Sequence, residues 1–83
     1  MIDSQFYNND QFEVIDGLVT SVTYFPAGSI LTIECTEYNE DFEFRNRVVT
    51  WFDYHLTDTA GRVLEVDEAE LIQLLNEGKL QSC

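Results

Sequence analysis

The sequence predicts an α+β domain, a strongly bent antiparallel sheet of about five strands capped by one C-terminal α-helix. Three observations carry that expectation. Between residues 12 and 66 the chain is rich in β-branched and aromatic residues, which suit a pleated, half-buried surface. Turn signals at Asp16-Gly17, Pro26 to Ser29, Tyr38 to Asp41 and Thr57 to Gly61 cut that region into strand-sized pieces. The one helical apolar stripe, Leu71, Ile72, Leu74 and Leu75, follows a capping signal at Asp67.

With 83 residues the chain makes a single domain, 1–83. A domain this short buries only about 60% of its unfolded surface, so its core is small. The apolar share of 45% is still ample for a folded globule.

Taken in order, residues 1–11 are polar and rich in Asn and Asp and predict a loose arm that Phe6 and Tyr7 can pin to the body. Residues 12–15, FEVI, start a strand, and Asp16-Gly17 is a hairpin-type turn leading into the strand-like run LVTSVTYF, 18–25. Pro26 presets its own φ and Gly28 relaxes the exit of the next turn. ILTIEC, 30–35, alternates, which places Leu31, Ile33 and Cys35 on one face and makes Cys35 a buried structural thiol.

A turn at Tyr38-Asn39-Glu40-Asp41 leads to the long return 42–56. Its even positions, Phe42, Phe44, Val48, Phe52, Tyr54 and Leu56, form the core face. Val49 and Trp51 then need a second apolar partner. RVLEV, 62–66, is the last strand. The helix spans 67–78, with Asp67 as N-cap, Glu70 completing a capping-box-like pattern, Glu68 and Glu70 at the positive end of the dipole, and Gly78 ending it. Too short to stand alone, it must dock on the sheet. The stretch YFPAGSILTI resembles the diverging turn and following strand of small SH3-like barrels, a resemblance of shape covering about ten residues.

Sixteen acids against four Lys and Arg give a net charge of −12. Binding to DNA, RNA or anionic lipid depends on Lys and Arg displacing counterions, so direct contact with any of them is disfavoured. The same charge attracts and steers basic surfaces, although it can equally serve only to keep a small protein soluble. Met1 leads into IDSQFYNNDQF with neither a basic n-region nor an apolar h-region, and no apolar run approaches the roughly 20 residues of a bilayer span. Two cysteines, Cys35 and Cys83, make no disulfide framework. The expectation is a cytoplasmic, reduced protein without membrane attachment.

Catalytic signals are sparse. His55 is the lone histidine, and Asp53-x-His55 puts both side chains on one strand face, where they could begin a metal site or a base with its orienting acid. One His and one Asp are not a ligand set and Asp-x-His is a common accident, so His55 reads as an ordinary strand-end residue near a turn. No glycine-rich phosphate loop or calcium loop occurs. No enzyme activity, cofactor or metal is expected.

The acids concentrate in two runs: Glu34, Glu37, Glu40, Asp41 and Glu43, then Glu65, Asp67, Glu68 and Glu70. Alternate residues of a strand lie about 6.6–7 Å apart on one face, so such rows can imitate the regular charge of a nucleic-acid backbone. In size and charge the chain is similar to phage-encoded DNA-mimic inhibitors, a group that includes uracil-DNA glycosylase inhibitors, anti-restriction proteins and anti-CRISPR proteins. That resemblance implies a non-enzymatic inhibitor or adaptor from a phage or mobile element. Its partner would be a protein with a basic nucleic-acid-binding surface, such as a nuclease, restriction system or CRISPR effector. The partner-binding residues would be Glu34, Glu37, Glu40, Asp41, Glu43, Glu65, Asp67 and Glu68, with Tyr38 and Trp51 as anchors. The alternative is a structural module of SH3-like form, such as a virion or complex subunit, that uses its strand edges and the Trp51 face. A small hydrolase built on Asp53 and His55 is the third.

Overall fold

The computed structural model describes residues 5–43 and 47–83. Residues 1–4 and 44–46, including Phe44, lie outside them, and so do the side chains of Phe42, Glu43 and Arg47. The fold is α+β, as expected. Its strands are β1 (Gln11–Val14), β2 (Leu18–Val19), β3 (Tyr24–Phe25), β4 (Ile30–Glu43), β5 (Arg47–Thr57), β6 (Val63–Asp67) and β7 (Leu80–Ser82), with α1 (Glu68–Asn76) before the last. Five strands form one antiparallel sheet in the order β6-β5-β4-β1-β7, and β2 and β3 pair separately as a small hairpin.

One core holds the sheet, the hairpin and the helix together. Phe12, Val14, Leu18, Phe25, Leu31, Ile33, Tyr54, Leu56, Leu64, Val66, Leu71 and Leu80 form it, so every strand and the helix contributes. A side chain as large as Leu or Phe is worth about 1.5–3 kcal/mol when fully buried, which makes this cluster the main stabilising term. Phe6 packs edge-on against both Phe12, at 5.8 Å, and Tyr54, at 5.5 Å, while Tyr7 is exposed. Asn9 N–H donates to the Ile33 carbonyl at 2.8 Å, which ties this segment to β4.

The helix follows its sequence signals closely. Asp67 accepts the Glu70 N–H at 2.7 Å. At the other end Gly78 has φ +75, its N–H donates to Leu75, and Lys79 N–H donates to Leu74, the paired bonds of a Schellman ending. Leu71 is fully buried, and α1 touches β5, β6 and β7, so it reaches both edges of the sheet.

Several expectations are corrected. LVTSVTYF is two short strands, because Thr20 closes a turn in the middle: its hydroxyl accepts the N–H of Val22 and Thr23, and its own N–H donates to the Thr23 carbonyl. Asp16-Gly17 therefore joins β1 to a strand that β1 does not pair with. Gly17 (φ +86) is needed there, since a Cβ would lie 2.7 Å from the Tyr24 hydroxyl oxygen. The turn placed at Tyr38 to Asp41 is continuous strand, and β4 pairs with β5 in register as far as Glu43 opposite Arg47. Val48, assigned to the core, is 45% exposed because it lies well beyond the part of the hairpin that the core covers. The three-residue β7, antiparallel to β1, carries too little pattern to be seen in sequence.

The largest correction concerns Cys35. The pairing of β4 with β5 shifts between Ile33 and Cys35, a bulge in which Glu34 is the extra residue. One extra residue exchanges the two faces of the strand from that point on. Cys35 therefore lies opposite His55 and is exposed, while Thr36 lies opposite buried Tyr54.

Candidate acidic interface on the outer face of the sheet

The bulge decides which acids share a surface. Beyond it, the outer face of β4 carries Cys35, Glu37, Asn39 and Asp41, directly opposite His55, Asp53, Trp51 and Val49 on β5. The register of β6 then sets Glu65 opposite His55 and Asp67 opposite Asp53. Glu37 on β4, Asp53 on β5 and Glu65 and Asp67 on β6 thus become neighbours across three strands spaced about 4.8 Å apart. Glu37, Asp53, His55, Glu65, Asp67 and Glu70 line a shallow depression of about 250 Å³.

Like charges directly opposite one another on a sheet repel. Each carboxylate in the cross-strand row Glu37–Asp53–Asp67 is met by a donor or a base that limits this. Asn39 donates its side-chain amide to Asp53 at 2.9 Å. Asp67 faces the helix N-terminus through its bond from Glu70. His55 stands between the rows, with Nε2 3.6 Å from Glu37 and Nδ1 3.2 Å from Glu65. A neutral imidazole can donate through only one of those nitrogens, and a protonated one through both. Glu37 and Glu65 are more than 60% exposed, so each contact is a surface pair worth about 0–1 kcal/mol.

The other residues singled out from sequence fall in different places. Trp51 is 37% exposed and lies on the outer face with the acids. Tyr38 belongs to the opposite face, where it packs edge-on against Phe52 at 5.4 Å, with Glu40 beyond it on the same side. The two aromatic anchors are therefore on opposite sides of the β4–β5 hairpin and do not form one patch. Phe52 is half-buried and packs against the core. Glu34 is exposed at the bulge, and the side chain of Glu43 lies outside the described residues. Glu68 is half-buried and accepts the Tyr54 hydroxyl at 2.8 Å, which gives it a structural duty.

Asp53 and Glu70 belong to the acidic face but were not among the residues assigned to it from sequence. The even spacing of Asp53 with Trp51 and His55 was the available signal for Asp53. Glu70 belongs to the second acidic run of the sequence, and the turn from β6 into α1 brings it to the depression beside Glu65 and Asp67. Among the described residues, no group of three or more His, Cys, Asp or Glu is placed to hold a metal ion. No helix among them is long and apolar enough to cross a membrane. No protein-family model, curated protein or solved structure matches the chain.

Proposed function

We propose that this chain is a small non-enzymatic inhibitor, encoded by a phage or mobile element and acting in the cytoplasm, that occupies the basic nucleic-acid-binding surface of another protein. Nucleases, restriction enzymes and CRISPR effectors are the class of target. The observation that carries the reading is that Glu37 of the first acidic run meets Glu65 and Asp67 of the second on the outer face of β4, β5 and β6, with Asp53 filling the row between Glu37 and Asp67. Carboxylates fixed at strand spacings offer a basic groove a regular array of negative charge, and the net charge of −12 steers the encounter. Trp51 at the side of this array supplies an aromatic anchor of the kind that dominates interface energetics. The inhibition is steric and electrostatic, without turnover.

A second reading, a scaffold module held by its strand edges, draws support from the exposed valines beside the β6 edge. One experiment separates the two. The protein is immobilised and used to capture partners from a bacterial lysate at low and moderate salt, beside a variant with Glu37→Gln, Asp53→Asn, Glu65→Gln and Asp67→Asn. Under the inhibitor reading, a DNA- or RNA-processing protein is retained, is released by salt and by competing double-stranded DNA, and is absent from the variant. A partner that survives salt, DNA and the four substitutions refutes the inhibitor reading.

A further inference from the structure

The acidic face leaves unexplained an apolar groove on the edge of the sheet. β6 ends the strand order, and among the described residues nothing pairs with its far side. Beside that edge lies a groove of about 630 Å³ between β6, the β2–β3 hairpin and α1, lined among others by Leu18, Val19, Val22, Val63, Leu64 and Leu74. Its volume falls within the roughly 300–1,000 Å³ of ligand clefts. Val22 is 86% exposed and Val19 76%, at the tip and outer side of a hairpin whose turn is closed by Thr20 alone. The hairpin is tied down at its other end, where the Arg62 guanidinium lies 5.9 Å from the centre of the Phe25 ring and approaches the Tyr24 carbonyl.

We propose that the β6 edge accepts an extended peptide segment as a sixth strand, and that this segment alternates apolar and basic side chains. The backbone of β6 offers the bonds, since half the N–H and C=O groups of an edge strand point away from the sheet. The alternation of β6 sets the pattern. Leu64 and Val66 point to the core side, where the incoming strand would meet Leu18, Val19 and Leu74 and requires apolar groups. Val63, Glu65 and Asp67 point to the outer face, where cross-strand neighbours of Glu65 and Asp67 are favoured when basic. Glu70 adds a further acid to the groove wall. Charge also selects against a second copy of this chain as the occupant, since each copy carries −12 and brings Glu65 and Asp67 to the same edge.

The test uses a synthetic nine-residue peptide alternating valine and lysine, beside the same peptide with every second backbone nitrogen methylated on its pairing side. Methylation removes strand pairing and leaves charge intact. The proposal expects the plain peptide to bind, to slow hydrogen exchange of the β6 amides, and to lose roughly tenfold or more in affinity on methylation, as several backbone bonds disappear. Val22→Lys and Val63→Lys, both at exposed positions that keep the fold, should each weaken binding several-fold. Equal binding of both peptides, with shifts spread over Glu37, Asp53 and Glu65, overturns the proposal in favour of simple attraction to the acidic face. Absence of binding, or dimerisation of the chain through β6, overturns it as well.

Discussion

Asp58→Asn isolates one interaction on which the position of β6, and so both surfaces, depends. Asp58 closes the β5–β6 turn with a side chain only 1% exposed. Its Oδ1 accepts the N–H of Ala60 at 3.0 Å and of Arg62 at 2.8 Å, while Oδ2 accepts the Arg62 Nε–H. Asparagine keeps the shape and the two backbone bonds, but it sets an amide NH₂ against the Arg62 donor and removes the charge. Losing one partner of a fully buried pair costs about 3–5 kcal/mol. Arg62 is 35% exposed and can turn to water, so the cost here should be about 2 kcal/mol. At about 4–8 °C per kcal/mol for a domain of this size, Tm should fall by roughly 8–16 °C at neutral pH.

The pH dependence supplies a second readout. Burial alone would raise the Asp58 pKa, but the Arg62 N–H, the Arg62 guanidinium and the Ala60 N–H outweigh it and hold the carboxyl below its ordinary value. A depressed folded-state pKa stabilises the fold above the unfolded value of about 3.9, and that stability is lost as pH falls through the folded value. The gap between the native protein and D58N, full at neutral pH, should therefore close in acid below about pH 4. Urea unfolding followed by circular dichroism across that range measures it. A gap under about 0.5 kcal/mol at pH 7, the range of ordinary surface substitutions, or one that stays constant into acid, refutes the reasoning.

Three other outcomes follow from the packing. Leu71→Ala should cost about 2–5 kcal/mol in urea unfolding, a large share of the roughly 4–12 kcal/mol that a chain of this length holds in total. Tyr54→Phe removes the hydroxyl bond to Glu68 and should cost about 1 kcal/mol, below the full value for a bond to a charged group, because Glu68 is half-buried and can regain water. Cys35 and Cys83 are both exposed, so a thiol reagent should titrate both without denaturant, and a Cys35 that stays unreactive in a Cys83→Ser variant would mean that the β4 bulge is misplaced.

The elements that were legible in sequence are those whose information is local. The α1 cap at Asp67 and stop at Gly78, the β3–β4 turn and the alternation of β6 each need only a few adjacent residues, and each is present. The failures depended on distant partners. The strand β7 exists because β1 offers it an edge, and LVTSVTYF divides because Thr20 satisfies its own turn. The run TEYNED carries acids and an Asn that suit a turn, yet it is strand because β5 pairs with it residue for residue.

The bulge at Glu34 links these failures to the acidic surface. Without it, strict alternation would keep Cys35 on the core face with Leu31 and Ile33, and Glu37 would share that parity. The extra residue moves Cys35 and Glu37 outward together, which brings Glu37 beside Asp53 and within reach of His55. The resulting row, Glu37, Asp53 and Asp67, works against stability, because opposed like charges repel. Exposed acids with no partners would spread into solvent. These are held instead by Asn39, the α1 N-terminus and His55. A charged face kept only for solubility needs no such fixed positions, whereas a surface that competes for a groove shaped to phosphates gains from having its carboxylates already in place, since less ordering remains to be done on binding. Asn39→Ala tests that distinction. It removes the amide that holds Asp53 while leaving the net charge at −12, so a loss of partner affinity on this substitution would tie binding to the placement of the acids, and unchanged affinity would tie it to charge alone.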